Sequence, residues 1–328
     1  MRKHKNLKKL KEIQLIKNIF LNFRIPNDLS RNFISVNDFE TKFNSIKKEL
    51  NHDLNNKNDF EILNNRLDDH RKQIIPWLNS LRRLKGLRIL EIGCGNGSSS
   101  IAFAEQGAIV TAIDVDENLI SDAKIRCKLY GLNVSFILMN ASQIDSVFVK
   151  DDFDLIIFMA SLEHMTLDER LQSMKSTYNL LAIGSLWCIV DTPNRLNFMD
   201  SHTSNLPFFH WLPDQIALEY AQFSPRIEYK QHLAEINDEK EKMMQFYRWG
   251  RGVSYHEIEL ALKPLNELKI ISNKAHFMRK NNWFYKIGNK FSSNYKFEIF
   301  LHKLYPTIHN GFFQPYLNMI FEKNSDSI

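Results

Sequence analysis

Leu90-Glu91-Ile92-Gly93-Cys94-Gly95-Asn96-Gly97 closes an apolar run and leads straight into Ser98-Ser99-Ser100-Ile101. Glycines placed directly after a strand let the backbone turn sharply and come close to a ligand, and a following helix offers unpaired N–H groups. The spacing is G-x-G-x-G, unlike the G-x-G-x-x-G that seats a pyrophosphate on a helix terminus. One acid, Glu91, precedes the glycines. A second, Asp114, ends the next apolar run, where a carboxylate can accept both hydroxyls of a ribose.

Outward from this stretch the chain alternates short apolar runs with helical periodicity. Strands are expected at Leu87–Ile92, Ile109–Ile113, Val134–Met139, Phe153–Met159 and Ser185–Val190, with helices at Ser98–Gln106, Glu117–Tyr130 and Leu167–Leu181. Buried strands alternating with helices predict an α/β fold with a Rossmann-like, doubly wound, mostly parallel sheet. Residues 72–195 form that core. Residues 1–71 read as a helical N-terminal extension, including a helix over about Phe60–Ser80 kinked near Pro76. Past Pro193 the rhythm breaks. Residues 196–250, rich in His, Phe, Trp and Tyr, read as a cap. Residues 251–328 complete the sheet through a helix at Tyr255–Leu262 and strands at Leu268–Ser272 and Tyr316–Glu322, with a helical, aromatic insertion at about 273–311.

Four ordered segments of this core resemble the class I S-adenosylmethionine-dependent methyltransferases, in particular the small-molecule branch that includes quinone-biosynthetic enzymes. Leu90–Gly97 is similar to the family's first motif. By that resemblance Glu91, Gly93, Cys94, Gly95 and Gly97 hold the methionine part of S-adenosylmethionine. Ala112-Ile113-Asp114-Val115-Asp116 resembles the second motif, with Asp114 as the ribose acid and Val115 beside it. Ser161-Leu162-Glu163-His164-Met165 is similar to the V-x-E-H-V segment beside the transferring methyl, and Asp191-Thr192-Pro193-Asn194-Arg195 to the T-P-N turn after the fifth strand. Where the family commonly has an Asp for the adenine amino group, this chain has Asn140-Ala141; the Asn carbonyl is a weaker, uncharged acceptor. The resemblance implies a methyltransferase with S-adenosylmethionine as cofactor.

Methyl transfer from a sulfonium needs an in-line nucleophile, and an alcohol acceptor also needs its proton removed, which calls for a His or carboxylate near the methyl. The candidate bases are His164 and His202, both on loops leaving the carboxyl edge of the sheet, where parallel α/β proteins bind ligands. Arg195, Asp200, His210 and Trp211 are candidate acceptor-binding residues. Arg195 reads either as a clamp for an acidic acceptor or as half of an ion pair. The aromatics of Asn205–Pro213 read either as a stacking face for a sugar or as filling of the cap. The expected acceptor is a small-molecule or glycan hydroxyl. N- or C-methylation of a lipid or quinone-like acceptor at a membrane surface is the alternative, and a non-catalytic binder of the cofactor is the reading from another class.

Bulk properties narrow the rest. The chain has 328 residues, 44% apolar and 25% charged, the balance of an ordinary globular protein. No uninterrupted apolar window is long enough to span a bilayer. The basic start meets Lys8, Lys9, Lys11 and Glu12 where a signal peptide would be apolar, so a cytoplasmic location, peripheral to the inner membrane in the alternative reading, is expected. Leu7, Leu10, Ile13, Ile16, Ile19, Phe20 and Phe23 recur at helical spacing among lysines, as on a membrane-surface helix or on one docked to its own protein. A net charge of +5, mostly from the first residues, is too mild to argue for nucleic acid. The fourth strand lacks a D-P-P-Y-like turn and the chain lacks a Pro-Cys nucleophile, so DNA is not an expected partner. Cys94, Cys127 and Cys188 lack metal or redox spacing and read as reduced core residues. With no H-E-x-x-H segment or His/Cys cluster, no metal is expected. Oligomeric state has no signature.

Overall fold

The computed structural model describes residues 65–281 and 293–325. The amphipathic segment Leu7–Phe23, the rest of the expected extension before residue 65, and Trp283, Phe284, Tyr285 and Phe291 of the aromatic insertion lie outside the described residues.

Seven strands form one sheet: β1 (Arg88–Ile92), β2 (Ile109–Asp114), β3 (Ser135–Leu138), β4 (Leu155–Met159), β5 (Leu186–Pro193), β6 (Lys269–Asn273) and β7 (Tyr316–Glu322). Their order is β3-β2-β1-β4-β5-β7-β6. The first five are parallel, and β7 runs antiparallel between β5 and β6. The chain reverses direction across the sheet between β1 and β4, which opens a crevice at their carboxyl ends. This is the doubly wound, mostly parallel sheet expected from the sequence, with two of its strands supplied by residues beyond 250.

Alternation along the strands builds two apolar layers. Leu90, Ile92, Ile156, Phe158, Trp187 and Ile189 face α4 (Leu167–Leu180) and α8 (Tyr255–Ala261). Ile89, Val110, Ala112, Leu155, Ile157 and Cys188 face the opposite way, onto α1 (residues 65–79) and α2 (Ser98–Glu105). Both layers are dry, which is why β4 and β5 read as continuous apolar runs. All three cysteines are free and buried, as expected.

Helix ends follow local chemistry. Asp116 caps α3 (Glu117–Leu129) by accepting from the N–H groups of Asn118 and Leu119. Thr166 and Glu169 form a reciprocal capping box on α4. A π-helical turn, His70–Ile74, immediately precedes the segment Ile75–Asn79, which carries Pro76 in its first turn. A proline lacks the N–H for a regular ladder, and the widened turn absorbs that loss.

The segment expected to be a cap holds an apolar cluster of its own. Helices α5 (Asp214–Tyr220), α6 (Ile227–Glu235) and α7 (Glu239–Trp249) pack Phe209, Tyr229, Leu233 and Phe246 together. Arg251 is buried against the faces of Phe209 and Phe246, at 5.0 and 5.1 Å, and donates to the carbonyls of Phe209 and Leu212. Helix α9 (Lys274–Asn281) packs on β6 and β7, and α10 (Ser293–Leu304) packs on the 3₁₀ turn Asn310–Phe313. Phe297 of α10 packs on Phe198 and stacks on Trp211 at 6.3 Å, a contact inside the protein. Among the described residues no helix is long and apolar enough to cross a membrane.

Candidate active site

A cavity of about 790 Å³ opens at the carboxyl edge of β1, β2, β4 and β5. Its walls come from the glycine loop after β1, the tip of β2, the turn after β3 and the 3₁₀ turn Leu162–His164 after β4.

The glycine loop is held by geometry. The N–H groups of Gly93 and Cys94 both donate to the Ile113 carbonyl, at 2.9 and 3.0 Å, fastening the loop to the end of β2. Gly93 has φ +74°, and a Cβ there would stand 2.4 Å from Cβ of Ser161, so the β1 and β4 loops touch at a place only glycine can occupy. Gly97 also has positive φ, and its missing Cβ leaves room for Ala123 of α3. Gly97 therefore shapes the loop through packing and is not part of the cavity wall, whereas Gly93, Cys94 and Gly95 are.

Asp114 stands at the tip of β2. One carboxylate oxygen accepts from the Gly95 N–H at 2.7 Å and the other from the Asp116 N–H at 3.0 Å. Each oxygen retains a second acceptor site, so the carboxylate that organises the loop still has capacity for two ribose hydroxyls. Glu91 differs from the expectation. It is fully buried away from the cavity, where Ser99 and Ser100 donate to its two oxygens. Burial pushes its carboxyl up to about 7, against the pull of the two hydroxyls. Its place is under the loop, pinning the first turn of α2.

Asn140 lines the cavity, but its carbonyl caps the following 3₁₀ turn by accepting from the N–H and hydroxyl of Ser142, both at 2.9 Å. Its amide reaches toward Glu169 at 3.4 Å. Ala141 and the exposed rim residue Val115 complete this side.

The opposite side holds the two candidate bases. His164 Nδ1 lies 2.7 Å from the Arg248 carbonyl, an acceptor, so Nδ1 carries the proton and Nε2 a lone pair. His202 Nδ1 lies 3.0 Å from the Thr203 hydroxyl, which itself donates to the Trp249 or Gly250 carbonyl. His202 Nε2 is therefore the unprotonated nitrogen. Burial, reinforced by the neighbouring His164, lowers the His202 pKa to about 4, so the ring is neutral at ordinary pH. The ring centroids are 5.3 Å apart, and both rings face the cavity.

All four acceptor-binding candidates are placed elsewhere. Asp200 is buried outside the cavity, accepting from the backbone of His202, Thr203 and Ser204 and from the Ser204 hydroxyl. Burial alone would raise its carboxyl, yet His210 and these donors outweigh it and hold the pKa well below the usual range. His210 Nε2 lies 3.2 Å from Asp200, while its Nδ1 accepts from the Gly252 N–H. This pair builds the His202 loop and touches no ligand space. Trp211 is exposed on the cap and packs on Phe208. Arg195 is likewise outside the cavity wall; its backbone N–H pairs with the Val253 carbonyl.

Several cavity residues had no sequence signal pointing to this role. Arg66, His70 and Gln73 reach in from α1, and the π turn at His70–Ile74 turns that face toward the crevice. Lys274, ion-paired with Asp191, and Tyr316 close the β5 side. Gly250 lets the end of α7 approach His202, because a Cβ there would meet the Thr203 hydroxyl at 2.8 Å. Arg170 is buried and donates to the carbonyls of Leu162, Glu163 and Arg251, tying the loop after β4 to the segment that follows α7.

Strand order and the glycine loop beside Asp114 agree with the Rossmann-like fold expected from the sequence. Residues 89–184 match the family described as a methyltransferase domain. The chain is 39% identical over 99 residues to the ubiquinone biosynthesis O-methyltransferase of Coxiella burnetii, covering 30% of this chain and 41% of that protein. It is 31% identical over 91 residues to the Pseudomonas fluorescens enzyme of the same name, covering 28% and 39%. The chain thus spans about two fifths of the length of these relatives. Among solved structures, magnesium protoporphyrin IX methyltransferase from Synechocystis with bound S-adenosylhomocysteine aligns over 72% of this chain and 89% of its own, at 18% identity and a TM-score of 0.43.

Proposed function

We propose that this protein is an S-adenosylmethionine-dependent methyltransferase acting on a hydroxyl of a small molecule. One observation carries the reading: a single cavity joins the glycine loop and Asp114 to the unprotonated nitrogens of His164 and His202. The residues fit the cofactor by their chemistry. Gly95, whose missing side chain opens onto empty space, and the free acceptor sites of Asp114 suit a nucleoside at the β2 tip.

S-adenosylmethionine, when bound, supplies an electrophilic methyl group. The chain's part is positioning and proton handling. Asp114 orients the sugar, and the β1 loop, tied to Ile113, excludes water behind it. His164 and His202 receive the hydrogen bond of the acceptor hydroxyl and are the base candidates for its proton, with Nδ1 of each ring locked by a partner. The relatives named for ubiquinone biosynthesis support a phenol-like acceptor over a glycan, because such a ring suits a cavity walled by Met139, Met159 and Met165.

The test is calorimetry with S-adenosylmethionine and its demethylated product, followed by transfer of labelled methyl to catechol-type phenols. His164→Ala and His202→Ala should each lower turnover at least tenfold while donor affinity stays within about threefold. Absence of any heat with either cofactor form, using folded full-length chain, overturns the reading.

A further inference from the structure

Three atoms of metal-ligating type converge beside the cavity. Glu163 Oε1 stands 3.6 Å from His202 Nε2 and 3.9 Å from His164 Nε2, and all three lie within 4.8 Å of one another. These distances are too long for hydrogen bonds. They are close to the spacing of ligands around a shared cation, where atoms each about 2.1 Å from the ion sit roughly 3–3.5 Å apart.

The cluster is built from acceptors alone. Both imidazoles have their N–H on the far side, toward the Arg248 carbonyl and the Thr203 hydroxyl, so both inner nitrogens present lone pairs. Such outer hydrogen bonds are what orient metal-binding histidines. Glu163 is 0% exposed, and neither of its carboxylate oxygens has a hydrogen-bond partner. The nearby Arg170 guanidinium does not serve it, because its donors go to the carbonyls of Leu162, Glu163 and Arg251 and to the Glu257 carboxylate. A buried carboxylate facing two lone pairs is electrostatically incomplete.

We infer that Glu163, His164 and His202 form a divalent-cation site whose open positions face the cavity and take the oxygen of the methyl acceptor. One carboxylate and two imidazoles suit zinc, manganese, cobalt or iron better than calcium or magnesium. Three protein ligands with an open side are the pattern of a catalytic site and not of a closed structural one. A cation there holds the acceptor oxygen and makes its hydroxyl more acidic; in the loaded protein the two histidines are ligands in place of the base role, and the hydroxyl proton passes to solvent water through the open cavity. That role, though not cation binding itself, rests on the methyltransferase reading. Because His202 comes from the cap and the other two ligands from the β4 loop, the cation also ties the cap to the core.

The experiment is equilibrium dialysis of the full chain, stripped with EDTA, against zinc, manganese or cobalt chloride singly, with bound metal measured by mass spectrometry. About one equivalent of at least one metal is expected, with affinity reduced tenfold or more in His202→Ala and Glu163→Gln. His256→Ala, at a surface histidine, should leave uptake unchanged. Circular dichroism checks folding; if Glu163→Gln does not fold, the partly exposed His202 decides through its own variant. No stoichiometric uptake of any of the three metals, or uptake unaltered in the folded variants, overturns the inference. Donor binding is measured on the same samples. Donor heat without metal uptake defeats this inference alone, whereas metal uptake without donor heat defeats the methyltransferase reading and leaves the site standing.

Discussion

Gly93→Ala places a methyl group where the β1 and β4 loops meet, and its cost can be worked out from two separable parts. The backbone φ of +74° lies in the left-handed region, which costs a non-glycine residue about 1–2 kcal/mol. The new Cβ would stand 2.4 Å from Cβ of Ser161, well inside the ~3.5–4 Å of an ordinary carbon contact. Relief by loop movement is opposed by the two N–H bonds to the Ile113 carbonyl, so the overlap should cost about 1–3 kcal/mol, as overpacking does. The total, about 2–5 kcal/mol, is a large share of an ordinary folding free energy. Ser161→Gly removes the overlapping atom and by itself should cost about 0.5–1 kcal/mol in backbone entropy. In the double variant the overlap is gone and the φ strain remains, so urea unfolding should return a coupling of about 1–3 kcal/mol. Donor affinity by calorimetry should recover in parallel. Additivity of the two single changes to within about 0.5 kcal/mol would falsify the claim that these loops are in forced contact.

Asp114→Asn keeps one acceptor for the Gly95 N–H but loses the charge, so donor affinity should fall about 10–100-fold, the worth of a charge-assisted hydrogen bond; titration calorimetry showing less than a threefold change would remove Asp114 from the site. Arg170→Met removes one donor from each of the carbonyls of Leu162, Glu163 and Arg251 and takes from the buried Glu257 its charged partner, and should destabilise the fold by about 3–5 kcal/mol in urea. A loss under about 1 kcal/mol would mean the cap is fastened by other contacts. The paired hydrogen bonds from Arg248 hold the Glu169 carboxyl down to about 2 from an ordinary 4.5. A depressed carboxylate stabilises the fold fully above its unfolded pKa and loses that contribution as pH falls through the folded value. The advantage of the wild type over Glu169→Gln should therefore be constant above about pH 4.5 and vanish near pH 2; unfolding curves that stay equally separated across this range would contradict the ion pair.

Much of the architecture was legible because strand and helix periodicities are local. The runs at Leu87–Ile92 and Phe153–Met159 are apolar throughout because both faces of β1 and β4 are covered, and the glycine-acid pattern marks the loop between them. Asp114 was legible for the same reason: its position at a strand tip follows from where the apolar run stops. Glu91, Asp200 and His210 were placed in the site by their chemistry and proximity in sequence, yet each is buried outside the cavity. A polar residue beside a motif is as often needed to satisfy the loop's own N–H groups as to meet a ligand, and sequence does not separate the two.

Sequence by itself determined the order of strands and helices, the turn at Gly93–Gly97 and the acid beyond it, because these depend on φ preferences and on neighbours a few residues away. Tertiary structure alone decided which groups meet. Glu163 and His202 belong to loops after different strands, and their convergence depends on how the cap packs through Arg170, Gly250 and Arg251. Contacts of that kind arise from the packing of whole elements against the sheet, and no local pattern records them.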